Sequence, residues 1–206
     1  VYHEDRNLTP QEFYQKYVGM SLRDYVPVIH EPTPDKPLHR LIQFHGIENM
    51  SDSDMKALHL SQEELEELCI KQLKAGQAVW FACDAGAFGA RKDGVWDPDS
   101  VQYEALLGGF STDMPKGERL QYGSSSATHA MLLTGVHFDA DGKADRWKIE
   151  NSWGKDVGDQ GYFVCSAKYF KEYVYEAVID GRHFSPEQAA MLKTEPVVIN
   201  AWDEDA

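Results

Sequence analysis

The sequence predicts an α+β fold in which helices flank a mainly antiparallel β-sheet. Capping boxes precede helically spaced apolar residues, and short apolar runs bounded by turn residues follow one another between residues 77 and 182. Hydrophobic residues make up 42% of the 206 residues, a proportion typical of a chain that buries a core. We expect the strands to form a twisted sheet that closes into a barrel.

The first region, residues 1–76, combines helices with extended segments. Thr9 and Glu12 form a capping box around Pro10, which predicts a helix over residues 10–18. The prolines of residues 27–37 predict a loop, because proline lacks a backbone donor and fixes φ. Residues 38–47 are predicted as a strand and residues 51–61 as a polar connection.

A second capping box predicts the last helix of this region. Ser61 and Glu64 predict the start of a helix that packs by one face and ends at Gly76. The predicted strands that follow are residues 78–83, 130–138, 146–151, 161–166 and 174–180, with a hairpin turn at Asp141-Gly142.

The chain end is predicted to be helical and then irregular. Ser185, Pro186 and Gln188 predict a last helix to about residue 193, and residues 195–206 show no periodicity. We therefore divide the chain into a flanking region (1–76), a barrel lobe (77–182) and a C-terminal helix with its tail (183–206).

The charge excludes several classes of partner. The chain has 20 Lys and Arg against 34 Asp and Glu, a net charge of −14, which opposes binding to nucleic acid or to anionic membranes. The sequence shows neither a spanning apolar run of about 20 residues nor a signal peptide. We expect a soluble, cytoplasmic protein. Because the chain begins at Val1 without Met, we expect a fragment or a processed chain.

Neither the cysteines nor the histidines indicate a metal site or a cofactor. Cys69, Cys83 and Cys165 are odd in number and include no C-x-x-C pair, so we expect reduced, mostly buried thiols. His30, His39, His45 and His59 lack metal-ligand spacing and are predicted to be scattered over the surface.

One histidine and one asparagine suggest catalysis. His129 opens one predicted strand and Asn151 ends the next, so the two strands are able to place them side by side. An Asn oxygen that accepts from one imidazole nitrogen leaves the other free to take a thiol proton. Trp153 is positioned to cover that bond. Taken alone, His129 also fits a histidine of the core. The segment Asn151-Ser152-Trp153-Gly154 taken alone also fits a turn with a packed tryptophan.

The sequence resembles a known family at several ordered segments. The asparagine segment Asn151-Ser152-Trp153-Gly154, followed by Gly161-Tyr162, with His129 upstream, resembles papain-like cysteine peptidases, and in particular bleomycin hydrolases and bacterial aminopeptidases C. The further segments that carry the resemblance are Thr9-Pro10-Gln11-Glu12-Phe13-Tyr14, Ala78-Val79-Trp80-Phe81-Ala82-Cys83-Asp84, Thr128-His129-Ala130-Met131, Arg146-Trp147-Lys148-Ile149-Glu150, Glu172-Tyr173-Val174-Tyr175, Glu195-Pro196 and Ala201-Trp202-Asp203.

The resemblance implies a papain-like fold, of which this chain is the C-terminal half, mainly the β-barrel lobe. It implies His129 and Asn151 as catalytic residues, supported by Trp153, and peptides as substrates. The family's nucleophilic Cys and oxyanion-hole Gln lie on the N-terminal lobe. No cysteine here has the sequence context of that nucleophile, so we expect the isolated chain to be inactive. The resemblance also implies a hexameric ring.

The chain end leaves two types of peptidase open. In the family's aminopeptidases the chain end enters the active-site cleft, which makes the terminal carboxylate of Ala206 a candidate for binding a substrate amine. Only three residues follow Trp202-Asp203 here, and a shorter arm favours endopeptidase or oligopeptidase action. A frayed terminus is the simplest alternative.

A different class of function also remains open. A non-catalytic barrel module, serving as a scaffold or an oligomerisation unit, explains the absent nucleophile. It does not explain why His129, Asn151 and Trp153 are all present.

Overall fold

The computed structural model of the chain describes residues 4–46, 54–109, 111 and 113–200. In this part of the chain the strands are Tyr25–Ile29 (β1), Arg40–His45 (β2), Met55–His59 (β3), Val79–Cys83 (β4), Gly89–Ala90 (β5), Val95–Trp96 (β6), His129–Phe138 (β7), Ala144–Glu150 (β8), Tyr162–Ser166 (β9), Val174–Asp180 (β10) and Val197–Asn200 (β11).

The helices in the described residues are short, with one exception. The α-helices are Pro10–Phe13 (α1), Gln62–Lys74 (α2), Tyr103–Leu106 (α3), Lys116–Gln121 (α4), Ala167–Tyr173 (α5) and Pro186–Met191 (α6). A π-helical segment, Tyr14–Val18, continues α1, and 3₁₀ turns occupy Leu22–Asp24, Pro98–Ser100 and Gly181–His183.

All the described strands belong to one mixed sheet, in the order β11-β2-β3-β1-β10-β4-β7-β8-β9-β6-β5. Most neighbours are antiparallel, as predicted, whereas β1 with β3, β2 with β11 and β6 with β9 are parallel. The order ends at β11 and β5, and the described strands include no pair that joins these two ends. The strands that matter for the site, β4, β7, β8 and β9, are consecutive neighbours.

The main core lies between this sheet and the helices α2 and α5. Leu65, Leu68 and Cys69 of α2 are fully buried, which confirms the predicted one-faced helix and its Ser61 capping box. On α5, Phe170 stacks on Trp147 of β8 with ring centroids 4.2 Å apart. Burying rings of this size contributes a large share of a domain's hydrophobic stabilisation.

Helix α4 is attached to the end of α5 by buried cations. Lys116 Nζ donates to the carbonyl oxygens of Lys171 at 3.2 Å and of Val174 at 2.5 Å, and Arg119 donates to the carbonyl of Glu172 at 2.9 Å. These carbonyls lack partners within α5, and cations are favourable at a helix C-terminus. Burial lowers the pKa of Lys116 to about 7. The contacts fix α4, which leads into the segment before His129.

Three segments differ from the sequence prediction. Residues 27–37 were expected to be a loop throughout, yet β1 includes Pro27. Its partner β3 pairs only with Val28 and Ile29, so Pro27 lies on a free edge, where its missing donor costs no ladder bond.

The other two differences are strands in segments whose sequence shows no strand pattern. Residues 51–61 were expected to be a connection, but Met55–His59 forms β3; residues 51–53 lie outside the described part of the chain. The tail was expected to be irregular, but Val197–Asn200 pairs with β2. β11 is stabilised by a strand distant in sequence, and β3 is stabilised by pairing with both β2 and β1. A local pattern does not reveal such pairing.

The sheet continues across the predicted boundary at residue 76. β1, from residues 1–76, pairs with β10, from residues 77–182, over its whole length. The two regions therefore share one sheet, and the boundaries at residues 76 and 182 stay a prediction.

Candidate active site

His129 and Asn151 meet because β7 and β8 are neighbours. His129 is the first residue of β7, and Asn151 directly follows the last residue of β8, Glu150, which is paired with Leu132. In an antiparallel pair the start of one strand lies beside the end of the other. The ladder therefore brings together two residues that are 22 positions apart in the sequence.

The hydrogen bonds of Asn151 define the state of the imidazole. Asn151 Oδ1 accepts from the backbone N–H of Ser152 at 2.8 Å and lies 2.9 Å from His129 Nε2. The backbone group can only donate, so the atom facing both groups is the amide oxygen, and Nε2 carries the proton. In the neutral ring, Nδ1 is then the basic nitrogen, and it has no hydrogen-bond partner among the described residues.

Trp153 covers this pair. Its ring stacks on the His129 ring with centroids 4.9 Å apart and an interplanar angle of 18°. Phe163 contacts Trp153 edge-on at 5.6 Å, and Trp96 lies 5.8 Å from it. An apolar cover of this kind excludes water that would compete for the bond between His129 and Asn151.

The segment before His129 is anchored to β4. Thr128 N–H donates to the carbonyl of Cys83 at 3.0 Å. Ser125 Oγ donates to Asp84 Oδ2 at 2.7 Å, and because its proton is used there, the Tyr175 hydroxyl donates to Ser125 Oγ, at 2.6 Å. All three side chains are buried or mostly buried. This network fixes the entry of the chain into β7 and so the position of the imidazole.

The cysteines of the chain are not placed to act as nucleophiles. Cys83 lies opposite His129 in the β4–β7 ladder, but it is fully buried, as are Cys69 and Cys165. Burial raises the pKa of Cys83 to about 12, and burial raises the pKa of the other two thiols as well. A thiol attacks as its thiolate, so these groups are unreactive at neutral pH. The predicted reduced, buried thiols are confirmed.

The structure changes the interpretation of two histidines. His59 was expected at the surface but is fully buried, with Nδ1 donating toward the carbonyl of Pro37 and Nε2 accepting from the backbone of Glu31. His30 is also largely buried, and burial lowers its pKa to about 4. Both histidines hold the proline-rich loop against β3. In the described part of the chain, no cluster of His, Cys, Asp and Glu is able to hold a metal ion.

Two further expectations concern the chain end and membrane-spanning helices. Ala206, the candidate for binding a substrate amine, lies outside them, as do Trp202 and Asp203. None of the described helices has the length and apolar character that crossing a bilayer requires.

Sequence reasoning missed the residues that surround Trp153. Arg91 lies in the turn between β5 and β6 with its guanidinium carbon 4.5 Å from the Trp153 ring centroid. Trp96 of β6 stacks on Phe163 at 4.7 Å and donates from its indole nitrogen to the carbonyl of Ala85 at 3.1 Å. The Asp93-Gly94 pair is a hairpin signal that marks this turn.

Known proteins resemble the chain along its whole length. The Peptidase C1-like family matches residues 1–206. The chain is 41% identical to an Aminopeptidase C of Lactococcus lactis subsp. cremoris, over 95% of this chain and 45% of that protein. It is 36% identical to a Bleomycin hydrolase of Gallus gallus, over 98% of this chain and 46% of that protein.

A solved structure agrees with this. The crystal structure of PepW from Lactobacillus rhamnosis HN001 matches with a TM-score of 0.93 at 42% identity, covering 99% of this chain and 46% of PepW. The chain thus spans a little under half the length of these relatives. The expected α+β, papain-like fold and the resemblance to aminopeptidase C and bleomycin hydrolase are confirmed. The chain belongs to the Peptidase C1-like family.

Proposed function

We propose that this chain supplies the general base and the orienting amide of a cysteine peptidase active site, with His129 as the base and Asn151 as the orienting residue. The observation that carries the proposal is the contact between His129 Nε2 and Asn151 Oδ1, 2.9 Å long and covered by Trp153. It leaves Nδ1 as the basic nitrogen, with no hydrogen-bond partner in the described part of the chain. The matched coverage of about 45% of the relatives is consistent with a C-terminal part of such a peptidase.

In this proposal the nucleophilic thiol and an oxyanion-hole glutamine come from a segment outside this chain. The buried thiols of Cys69, Cys83 and Cys165 support this, since none reaches solvent. Asn151 Nδ2 supports it too: the atom is buried and has no acceptor among the described residues. A buried donor without an acceptor is costly, and an acceptor from another segment would remove that cost.

The chemistry then follows from the tautomer. His129 Nδ1 takes the proton of the thiol, and the thiolate sulfur attacks the carbonyl carbon of the scissile peptide bond. The imidazolium, held by Asn151, returns the proton to the leaving amine as the C–N bond breaks, which leaves a thioester. A water molecule, deprotonated by Nδ1, attacks the thioester and releases the acid and the thiol. No cofactor is required.

The experiment compares the isolated chain with the complete enzyme. With a fluorogenic aminoacyl amide, we expect no turnover from the isolated chain and turnover from the complete enzyme, lost in its His129→Ala variant. Cys165→Ser is the matched control and should leave the rate unchanged. Turnover by the isolated chain that is blocked by iodoacetamide and lost on one Cys→Ser change would show that the nucleophile lies in this chain.

The type of peptidase is a separate question. Relatives named Aminopeptidase C favour removal of N-terminal residues. We propose that the enzyme removes N-terminal residues from peptides, and endopeptidase or oligopeptidase action is the alternative. Equal-length peptides with free and acetylated amines test this, and equally fast cleavage of the acetylated peptide would contradict the proposal.

The family resemblance further favours a hexameric ring located in the cytoplasm. Light scattering of the native protein measures the number of subunits, and cell fractionation tests the location. The mass of any polypeptide that co-purifies with the chain would identify the missing half. A protein that assembles but has no partner with a reactive cysteine would favour the non-catalytic module.

A further inference from the structure

We infer that Arg91 is a positioning residue for the catalytic base, because its guanidinium stacks on Trp153 and holds the indole against His129. The inference rests on the proposed function. The Arg91 guanidinium carbon lies 4.5 Å from the Trp153 ring centroid, and the His129 ring lies 4.9 Å from it, nearly parallel.

The imidazole and the guanidinium both pack on the Trp153 ring. The imidazole is nearly parallel to the indole with its centroid 4.9 Å away, and the guanidinium carbon lies 4.5 Å from the ring centroid. Trp153 therefore contacts the catalytic histidine of β7 and a cation from the turn between β5 and β6.

Arg91 is held by the backbone of its hairpin rather than by its own polar contacts. The Lys92 carbonyl accepts from Gly158 N–H at 3.2 Å, and the Gly94 carbonyl accepts from Val164 N–H at 2.8 Å. A Cβ on Gly94 would lie only 2.6 Å from the Gly158 Cα, so the two backbones are in direct contact. The hairpin is thus fixed to the loop that follows Asn151.

The contacts of Arg91 point to stacking as its role. Its side chain forms no ion pair and no hydrogen bond with any residue in the described part of the chain, although Asp93 is close in sequence. A guanidinium is planar, weakly hydrated and always charged, so it covers an aromatic face better than an ammonium does. With that face covered, Trp153 is less able to swing away from the imidazole.

The experiment uses the complete enzyme and three variants. In Arg91→Ala we expect kcat to fall about two- to fivefold, the range of an exposed cation–π contact, with KM changed less than twofold. Arg91→Lys, which keeps the charge but not the plane, should recover only part of kcat. Lys92→Ala is the matched control, because Lys92 contributes only its backbone carbonyl, and it should behave as the wild type.

A second measurement does not depend on activity. Deuterium exchange at the His129 imidazole C2–H, followed by mass spectrometry, reports how well the ring is covered. We expect faster exchange in Arg91→Ala than in Lys92→Ala, with thermal unfolding temperatures alike. If the wild type lacks peptidase activity but this difference appears, the proposed function fails and the positioning role holds. Equal exchange in both variants, or an unchanged kcat in an active enzyme, would overturn the inference.

Discussion

Glu176 makes the stability of this protein depend on pH in a direction that can be tested. It lies on β10, between Ile29 of β1 and Ala82 of β4, and its side chain is mostly buried. Among the described residues it has no hydrogen-bond or ion-pair partner. Burial, and to a smaller extent the charge of Glu31, raises its pKa from 4.5 to about 7.

The size of the effect follows from the shift. A folded-state pKa above the unfolded value means that the stabilisation is complete below pH 4.5 and is lost as the pH rises through 7. A shift of this size corresponds to at most about 3 kcal/mol. Glutamine has the same shape and no charge. Glu176→Gln should therefore raise the free energy of unfolding by up to about 3 kcal/mol at pH 8.5 and change it little at pH 4.

Urea unfolding followed by circular dichroism at both pH values measures this difference. Glu150→Gln is the matched control, because Glu150 is exposed on β8, and it should have little effect at either pH. The same stability change at pH 4 and pH 8.5 would refute the reasoning. A Glu176→Gln variant that is less stable at pH 8.5 would show that a cation pairs with Glu176 in the folded protein.

The remaining predictions concern acid stability, the core and the site. Burial lowers the pKa of His30 from 6.5 to about 4, so the stabilisation by the neutral imidazole is present above pH 6.5 and is lost as the pH falls toward 4. Urea unfolding should show this loss in Glu176→Gln, because that variant lacks the carboxyl group whose protonation stabilises the protein at low pH. Gly158→Ala should lower the free energy of unfolding by about 2 kcal/mol or more, because the φ of Gly158 is +60° and the new Cβ would lie 2.4 Å from the Tyr162 carbonyl oxygen. In the same assay the control Gly142→Ala, which has open space around the new Cβ, should lower it by about 1 kcal/mol. Trp147→Ala should lower the free energy of unfolding by about 3 to 5 kcal/mol, because the side chain is fully buried against Phe170. In the complete enzyme, Asn151→Ala should lower kcat about 10- to 100-fold in steady-state kinetics, since the imidazole loses its orienting acceptor; an unchanged kcat would argue against the proposed role.

Most local structure was predictable because its signals lie within a few residues. The capping boxes at Thr9 and Ser61 mark helices that the structure contains, and the Asp141-Gly142 turn joins β7 to β8. The runs that became β4, β7, β8, β9 and β10 were predicted to within two residues at each end. Each of these signals depends on backbone geometry that neighbouring residues control.

Other segments were not predictable from a local pattern. β3 and β11 follow no clear alternation, and β1 contains a proline. The partners of β1 and β11 lie far along the chain, and β3 is stabilised by pairing with both β2 and β1. His59 resembles a surface residue in sequence, and it is buried because two backbone groups from the proline-rich loop satisfy its ring nitrogens. A buried polar group is tolerated only where such partners exist, and only the tertiary structure shows them.

The sequence by itself determined the family, the strand ladder of the barrel lobe, and the identity of His129, Asn151 and Trp153 as candidate site residues. Residue types and short spacings carry that information. Only the tertiary structure decided that Asn151 Oδ1 faces Nε2 and leaves Nδ1 without a partner among the described residues, that His59 is buried, and that Arg91 lies on Trp153. These facts depend on contacts between elements separated by tens of residues, whose distances and burial are set by how the sheet packs.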